Sequence, residues 1–241
     1  MIAQGAAIID VGGESTRPGA EELLAEEEMN RVLPVIEAVC GRFDVIVSVD
    51  TSSPEVMLNA AGLGAGLIND VRALSRPNAL SAAATTLLPV CLMHMQGQPK
   101  TMQQQPEYND VVVDVCQYLL ERVEACTREG ISRDRLLLDP GFGFGKTQQQ
   151  NFQLLKRLHE LRAAGLPLLV GMSRKSMIGG VLNVPVGKRL AGSLSCALLA
   201  VMQGASIVRV HDVLETVQAL KIYRAMQNAN VQSVQINKKE G

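Results

Sequence analysis

The chain has 241 residues, with 23 Lys and Arg against 24 Asp and Glu, for a formal net charge of −1. That balance, with three Tyr, four Phe and no Trp, argues against a nucleic-acid or anionic-membrane surface and leaves little for a base-stacking platform. Hydrophobic residues at 47%, with 21 Gly and 10 Pro, exclude a disordered or collagen-like chain and suffice for one large core. In chain order, Met1–Gly5 reads as the last turn of a helix feeding a first strand, Ile8–Val11. Acids lead a helical stretch over Glu21–Cys40, with Leu24, Val32, Val35, Ile36 and Val39 on one face. Strand Val45–Val49 follows, then a helix over Pro54–Gly62 capped by Ser53, with Pro54 in its first turn. Strands Leu67–Ile68 and Val90–Met93 precede a helix over Asp110–Gly130. Strand Leu136–Leu138, helix Asn151–Gly165, strand Leu168–Val170, helix Lys188–Gly204, strand Ile207–Val210 and helix Val213–Asn228 complete the series. Gly130, Gly165 and Gly204 stand where left-handed C-caps are wanted.

Strand alternating with helix, with nearly continuous apolar strands, means a parallel sheet covered on its faces. Strand centres from about 10 to about 208 give about 33 residues per step, close to the roughly 31 of a (β/α)8 barrel. The spacing therefore predicts a TIM-type (β/α)8 α/β barrel with seven strands legible and the first strand missing. One domain is expected over 1–228, with a polar tail over 229–241. Five cysteines at 40, 91, 116, 126 and 196 form no Cys-x-x-Cys pair and are expected as buried reduced thiols. The N-terminus lacks a basic n-region, and the longest apolar run, Leu194–Met202, is far shorter than a membrane span. A soluble cytoplasmic protein is expected.

Each strand ends in a polar residue: Asp10 with Gly12–Arg17, Asp50-Thr51, Asn69-Asp70, His94, Asp139, Ser173–Ser176, and Arg209 with His211-Asp212. One polar strand end is usually a helix cap; seven in register predict an active site on the barrel rim. These residues carry a resemblance. Asp10-Val11-Gly12-Gly13-Glu14-Ser15-Thr16-Arg17-Pro18-Gly19 resembles a signature of the dihydropteroate synthases. So do Ser48–Thr51, Ile68–Asp70, Leu92–Gly97, Asp139–Lys146, Gly171–Ser176 and Arg209–Asp212. The resemblance runs from Ala3 to about Ala225. It implies an enzyme of folate biosynthesis, the sulfonamide target. Such an enzyme joins 6-hydroxymethyl-7,8-dihydropterin diphosphate to p-aminobenzoate, releasing diphosphate.

Residue chemistry agrees with that reaction. Asn69 and Asp139 can accept and donate along a guanidine-like pterin edge, Asp50 can accept a ring N–H, and Lys175 supplies a cation beside the ring. Arg17, Arg209 and His211 are the candidate diphosphate cradle, since Arg forks onto phosphate oxygens. Asp50, Lys175, Arg209 and His211 are the expected catalytic groups, acting by position and charge. Thr16, Pro18, Phe144, Lys175 and Ser176 resemble the family's p-aminobenzoate pocket. The resemblance also implies magnesium and a homodimer, for which Leu194–Met202 is a candidate face. Small-molecule substrates are expected, with no nucleic acid or membrane as partner.

Other readings stand beside these. Gly145-Lys146-Thr147 ends like a phosphate loop, but position 140 is Pro140, so its glycines are expected to turn the backbone instead. His94 is read equally as a ligand contact or a buried strand end, and His159 as solvated surface. Glu26-Glu27-Glu28 is expected as a solvated helix face, and Cys91 and Cys196 as core thiols. The family's first strand and its Asn-Val-Thr-Pro-Asp-Ser-Phe-Ser-Asp-Gly loop have no counterpart here. That loop carries the magnesium Asn, so no metal ligand is assigned. A truncated gene or a late start is expected, with a gap between Ile8–Val11 and Ile207–Val210 that persists or is filled by another copy, and with low stability and activity. The alternatives are an inactive pterin-binding homologue, or a corrinoid-type pterin-binding methyltransferase module.

Overall fold

The structure is a computed structural model and describes residues 1–15, 23–97 and 106–229. Seven parallel strands occur in chain order: β1 (Ile8–Gly12), β2 (Ile46–Asp50), β3 (Leu67–Asp70), β4 (Val90–Met93), β5 (Leu136–Asp139), β6 (Leu169–Val170) and β7 (Ile207–Val208). The helices are α1 (Ala25–Cys40), α2 (Pro54–Gly62), α3 (Ala79–Thr86), α4 (Val111–Arg128), α5 (Gln148–Lys156), α6 (Ser176–Leu182), α7 (Leu190–Met202) and α8 (Val213–Gln227). Strands β1 to β5 pair successively, β6 pairs with β7, and a bridge between Leu138 and Leu168 links the two groups. This is the TIM-type barrel architecture. Among the described residues, no strand pairing joins β7 to β1, and both are half-buried. Strands β3 and β4 are buried throughout, as expected where apolar side chains face helices on one side and the barrel interior on the other. The core runs from Val32 and Ile36 of α1 through Ile68, Leu92 and Leu138 to Leu154 and Ala200.

Local signals explain the element ends. Ser53 Oγ accepts from Val56 N with Pro54 in the first turn of α2, and Asp110 caps α4 by accepting from Val112 and Val113. Thr147 and Gln150 form a reciprocal capping box that starts α5 three residues before the expected Asn151. The expected single helix to Gly165 divides at Arg157, continuing as a 3-10 turn over Leu158–Ala164. Helices α3 and α6 were not expected. The strand forecast as Ile207–Val210 ends at Val208, although Arg209 N still donates to Val170 O. Met1–Gly5 forms a 3-10 turn closed by a left-handed Gly5. Helix α1 begins at Ala25; Glu21 and Glu22 lie outside the described residues, as does the tail from 230.

Two burial expectations are corrected. Glu28 is 1% exposed, while Glu26 and Glu27 are exposed. It lies on the α1 face that carries Val32 and Ile36, four and eight residues on, so helical phase buries it. All five cysteines are free, but only Cys91, Cys126 and Cys196 are buried; Cys40 and Cys116 are partly exposed.

Candidate active site

The register places neighbouring polar groups on one rim. Asp50 pairs with Asn69 across β2 and β3, and Met93 with Asp139 across β4 and β5. Arg209, just beyond β7, donates through Nε to Asp10 Oδ2 at 2.5 Å and through Nη2 to Asp50 Oδ2 at 3.3 Å. Asn69 Nδ2 donates to the same Asp10 oxygen at 3.4 Å. Asp10, the middle residue of β1, was noted among the strand ends but given no role. The structure makes it the hub between Asn69 and Arg209, and its other oxygen is buried without a hydrogen-bond partner among the described residues.

Lys175 Nζ donates to Phe142 O and sits 4.5 Å above the Phe144 ring centroid. Asp139 Oδ1 accepts from Gly141 N at 2.7 Å. His211 shares a 2.9 Å contact between Nδ1 and Ser173 Oγ, and its backbone N donates to the same oxygen. Ser176, the first residue of α6, is exposed. A cavity of about 660 Å³ reaches Asp10, Asn69, Lys175, Arg209 and His211 and continues between β1 and β7 past Ile8 and Ile207. Thr16, Arg17 and Pro18 lie outside the described residues.

Burial sets the electrostatics. It raises the Asp50 carboxyl to about 7, with the Asp10 charge adding and Arg209 opposing. It also raises Asp139, against the opposing Lys175 ammonium and Gly141 amide. Lys175 is lowered to about 8 by burial, with Asp139 opposing and Arg209 adding. The site thus holds two acids and one base whose charged forms burial disfavours.

Other rim residues are structural. Asp70 accepts from Ser52 Oγ, Arg72 N at 2.8 Å and Leu74 N at 2.7 Å, so it closes the turn after β3. His94 is a buried strand end, contacting Lys146 Nζ at 2.9 Å. Lys146 is 2% exposed and directed inward, so it is no phosphate-loop lysine. His159 is exposed and meets Gln203 Oε1 at 2.8 Å. Arg72 pairs at 3.0 Å with Glu14, whose side chain is largely covered, and also reaches Ser52, a network beneath the rim that was not foreseen.

The described residues offer no ready-made cluster of magnesium ligands. Among them, no group of three or more His, Cys, Asp or Glu side chains gathers to hold a metal, and Asp10 and Asp50 already share the Arg209 guanidinium.

The family profile described as "Pterin binding enzyme" matches residues 1–211. The dihydropteroate synthase of Escherichia coli (strain K12) is 60% identical over 229 residues, covering 95% of this chain and 81% of that protein. The chain belongs to the dihydropteroate synthase family. The Haemophilus influenzae dihydropteroate synthase is 54% identical, over 95% of this chain and 83% of its own. Among solved structures, the Yersinia pestis dihydropteroate synthase in a sulfonamide drug complex superposes with a TM-score of 0.93 at 56% identity, covering 95% of this chain and 83% of that one. The Xanthomonas albilineans dihydropteroate synthase with 4-aminobenzoic acid gives 0.91 at 47% identity, covering 95% and 82%.

Proposed function

We propose that the rim cluster binds 6-hydroxymethyl-7,8-dihydropterin diphosphate and joins it to p-aminobenzoate, giving dihydropteroate and diphosphate. The observation that carries this reading is the convergence of Asp10 and Asp50 on Arg209, with Asn69 donating to Asp10 and Lys175 lining the same cavity. Asn69 and Asp139 would take the pterin's amino and carbonyl edge, and Asp50 a ring N–H, so that buried carboxylates gain the donors they lack. Arg209 and His211, with Arg17, would cradle the diphosphate; a methyl-transfer module has no need of such cations.

The C–O bond to diphosphate breaks with its electron pair leaving on the phosphate oxygen. The pterin-methyl cation that remains is stabilised by the ring and by Asp50. The aniline nitrogen of p-aminobenzoate forms the new C–N bond and releases its proton to water. No covalent intermediate with the protein is required. Phe144, beside Lys175, would give the aniline ring a wall, and Thr16, Pro18 and Ser176 complete that pocket in this reading. A sulfonamide would compete there. Magnesium would enter with the substrate's diphosphate rather than on a cluster of side chains.

The reading includes a homodimer through α7, where Leu199 and Met202 are 48% and 60% exposed. It also includes a cytoplasmic location, which suits five free thiols. The test is dihydropteroate formation by the purified chain from the two substrates. No product above an Asp139→Ala, Arg209→Ala double variant would overturn the reading.

A further inference from the structure

The loop after β5, Pro140–Lys146, is wound by three glycines at positive φ, namely Gly141, Gly143 and Gly145. At its centre is the Lys146 ammonium. Nζ donates to Gly141 O at 2.9 Å and Phe144 O at 3.1 Å, and contacts His94 Nδ1 at 2.9 Å. An ammonium has three protons and no lone pair, so in the charged form of Lys146 three acceptors satisfy it and Nδ1 is the acceptor. His94 is accordingly held neutral: burial lowers it to about 2, with the Lys146 charge adding. Burial also lowers Lys146, to about 7, with Asp139 opposing and Lys175 adding. The His94 ring is fixed edge-on to Tyr118, with centroids 4.9 Å apart, and Tyr108 donates from its hydroxyl to Gly145 O at 2.7 Å. Asn151 holds the loop from α5, accepting from Gly143 N at 2.7 Å and donating to Lys146 O at 3.2 Å.

The same loop presents the Phe142 carbonyl and the Phe144 ring to Lys175, and it leaves β5 directly after Asp139. A buried lysine touching no carboxylate is costly to the fold, and a methionine of similar length would avoid that cost. What the ammonium supplies instead is direction: it draws two carbonyls of one loop inward, leaving Phe142 O for Lys175. We propose that Lys146, with His94 as its acceptor, is a positioning residue that fixes the 140–146 loop so that Asp139, Phe142 O and Phe144 meet Lys175. This rests on the reading of Asp139 and Lys175 as pterin-binding groups.

The test uses the purified full chain and four variants, with 6-hydroxymethyl-7,8-dihydropterin as the calorimetric probe and kcat and KM measured alongside. Lys146→Met and His94→Leu are expected to weaken pterin binding about tenfold or more, the order for groups that orient a contacting residue. Both should raise KM for the pterin substrate more than they lower kcat. His94→Asn, whose amide oxygen can stand near the Nδ1 position, is expected to restore binding to within about twofold. Unchanged affinity in a folded Lys146→Met or His94→Leu protein would overturn the proposal. So would equal losses in His94→Asn and His94→Leu, which would make the effect one of packing. If Lys146→Met does not fold, the two His94 variants decide by the same criteria. Lys175→Met separates the two levels: unchanged pterin affinity there refutes the site reading itself, whereas a loss there with none at Lys146 refutes only the positioning role.

Discussion

Asp10 and Arg209 lie 199 residues apart and form an ion pair that links β1 to the residue just beyond β7. The guanidinium also reaches Asp50, so one cation compensates two carboxylates while remaining 48% exposed at the rim. That exposure makes the pair a weak fastener, worth less than about 1 kcal/mol to stability. Its consequence lies in binding. Arg209 is already oriented when an anion arrives, and the anion competes with two carboxylates for it.

Arg209→Ala is therefore expected to act on the diphosphate and little on the ring. Affinity for the dihydropterin diphosphate should fall by about 1.5–3 kcal/mol, the range for a hydrogen bond to a charged group. Affinity for 6-hydroxymethyl-7,8-dihydropterin should stay within about threefold, or roughly 0.6 kcal/mol. Calorimetry with both ligands decides it. Equal losses would make Arg209 a fold or ring contact.

Asp139→Ala should weaken binding of the unphosphorylated dihydropterin by about 2–5 kcal/mol, because ring donors would be buried without an acceptor. Gly141 N loses its 2.7 Å partner as well, so the variant's melting curve must be recorded beside its affinity. Unaltered pterin affinity in a folded variant would remove Asp139 from the site.

Asp50 makes a prediction about pH. Its carboxyl is raised from an ordinary 3.8 to about 7, chiefly by burial. The folded state therefore binds this proton more tightly than the unfolded state does. The resulting stability is fully present below about pH 4 and is lost as pH rises through about 7. Asp50→Asn should cancel that loss. Relative to the parent, the variant should gain stability between pH 4 and pH 8, by up to about 4 kcal/mol at about 1.4 kcal/mol per pKa unit. Its pterin affinity should fall over the same range. Urea unfolding at both pH values measures it, and a difference between parent and variant that does not change with pH would contradict the raised carboxyl.

All seven strands were legible because each is a short apolar run ending in a polar residue, and that same feature marked the rim. The Gly130, Gly165 and Gly204 caps were legible too, and each adopts positive φ. Helix α3 escaped notice because Ala79–Thr86 is eight residues of mostly Ala, Ser and Thr, with little contrast between faces. Helix α6 was hidden by Gly179 and Gly180, poor helix formers that leave room for Arg189 and Gln148 to pack against them. In the site, sequence pointed to Asp50, Asn69, Asp139, Lys175 and Arg209. The part of Asp10 as a hub depends on the Arg209 side chain reaching across the gap between β7 and β1, a contact between distant chain positions that no local pattern encodes. Glu28 was misread for the same kind of reason: three consecutive acids look solvated until the packing of α1 selects one of them. Lys146 was dismissed as a phosphate ligand, and only its burial shows that it works inward.

Gly141 and Gly165 offer a test of how tightly the loop is set, because both have φ of +68°. An added Cβ carries the same conformational penalty at each, about 1–2 kcal/mol for a left-handed L-residue. Their surroundings differ. A Cβ on Gly165 meets nothing within 4 Å, whereas one on Gly141 lies 1.8 Å from the carbonyl oxygen of His94. That oxygen belongs to backbone fixed at the end of β4, where His94 N donates to Asp139 O at 2.9 Å, so it cannot rotate away as a flexible side chain would. Gly165→Ala should then cost only the conformational term. Gly141→Ala should cost at least about 2 kcal/mol more, in the range of core overpacking, because the loop must leave the strand end or the β4–β5 ladder must open. It should also lower pterin affinity, since Asp139 and the Phe142 carbonyl move with the loop. Urea unfolding of both variants, with calorimetry on the folded fraction, measures the pair. Equal destabilisation by the two substitutions would show that the loop is free to retreat from His94, and that its contact there does not set the geometry of the rim.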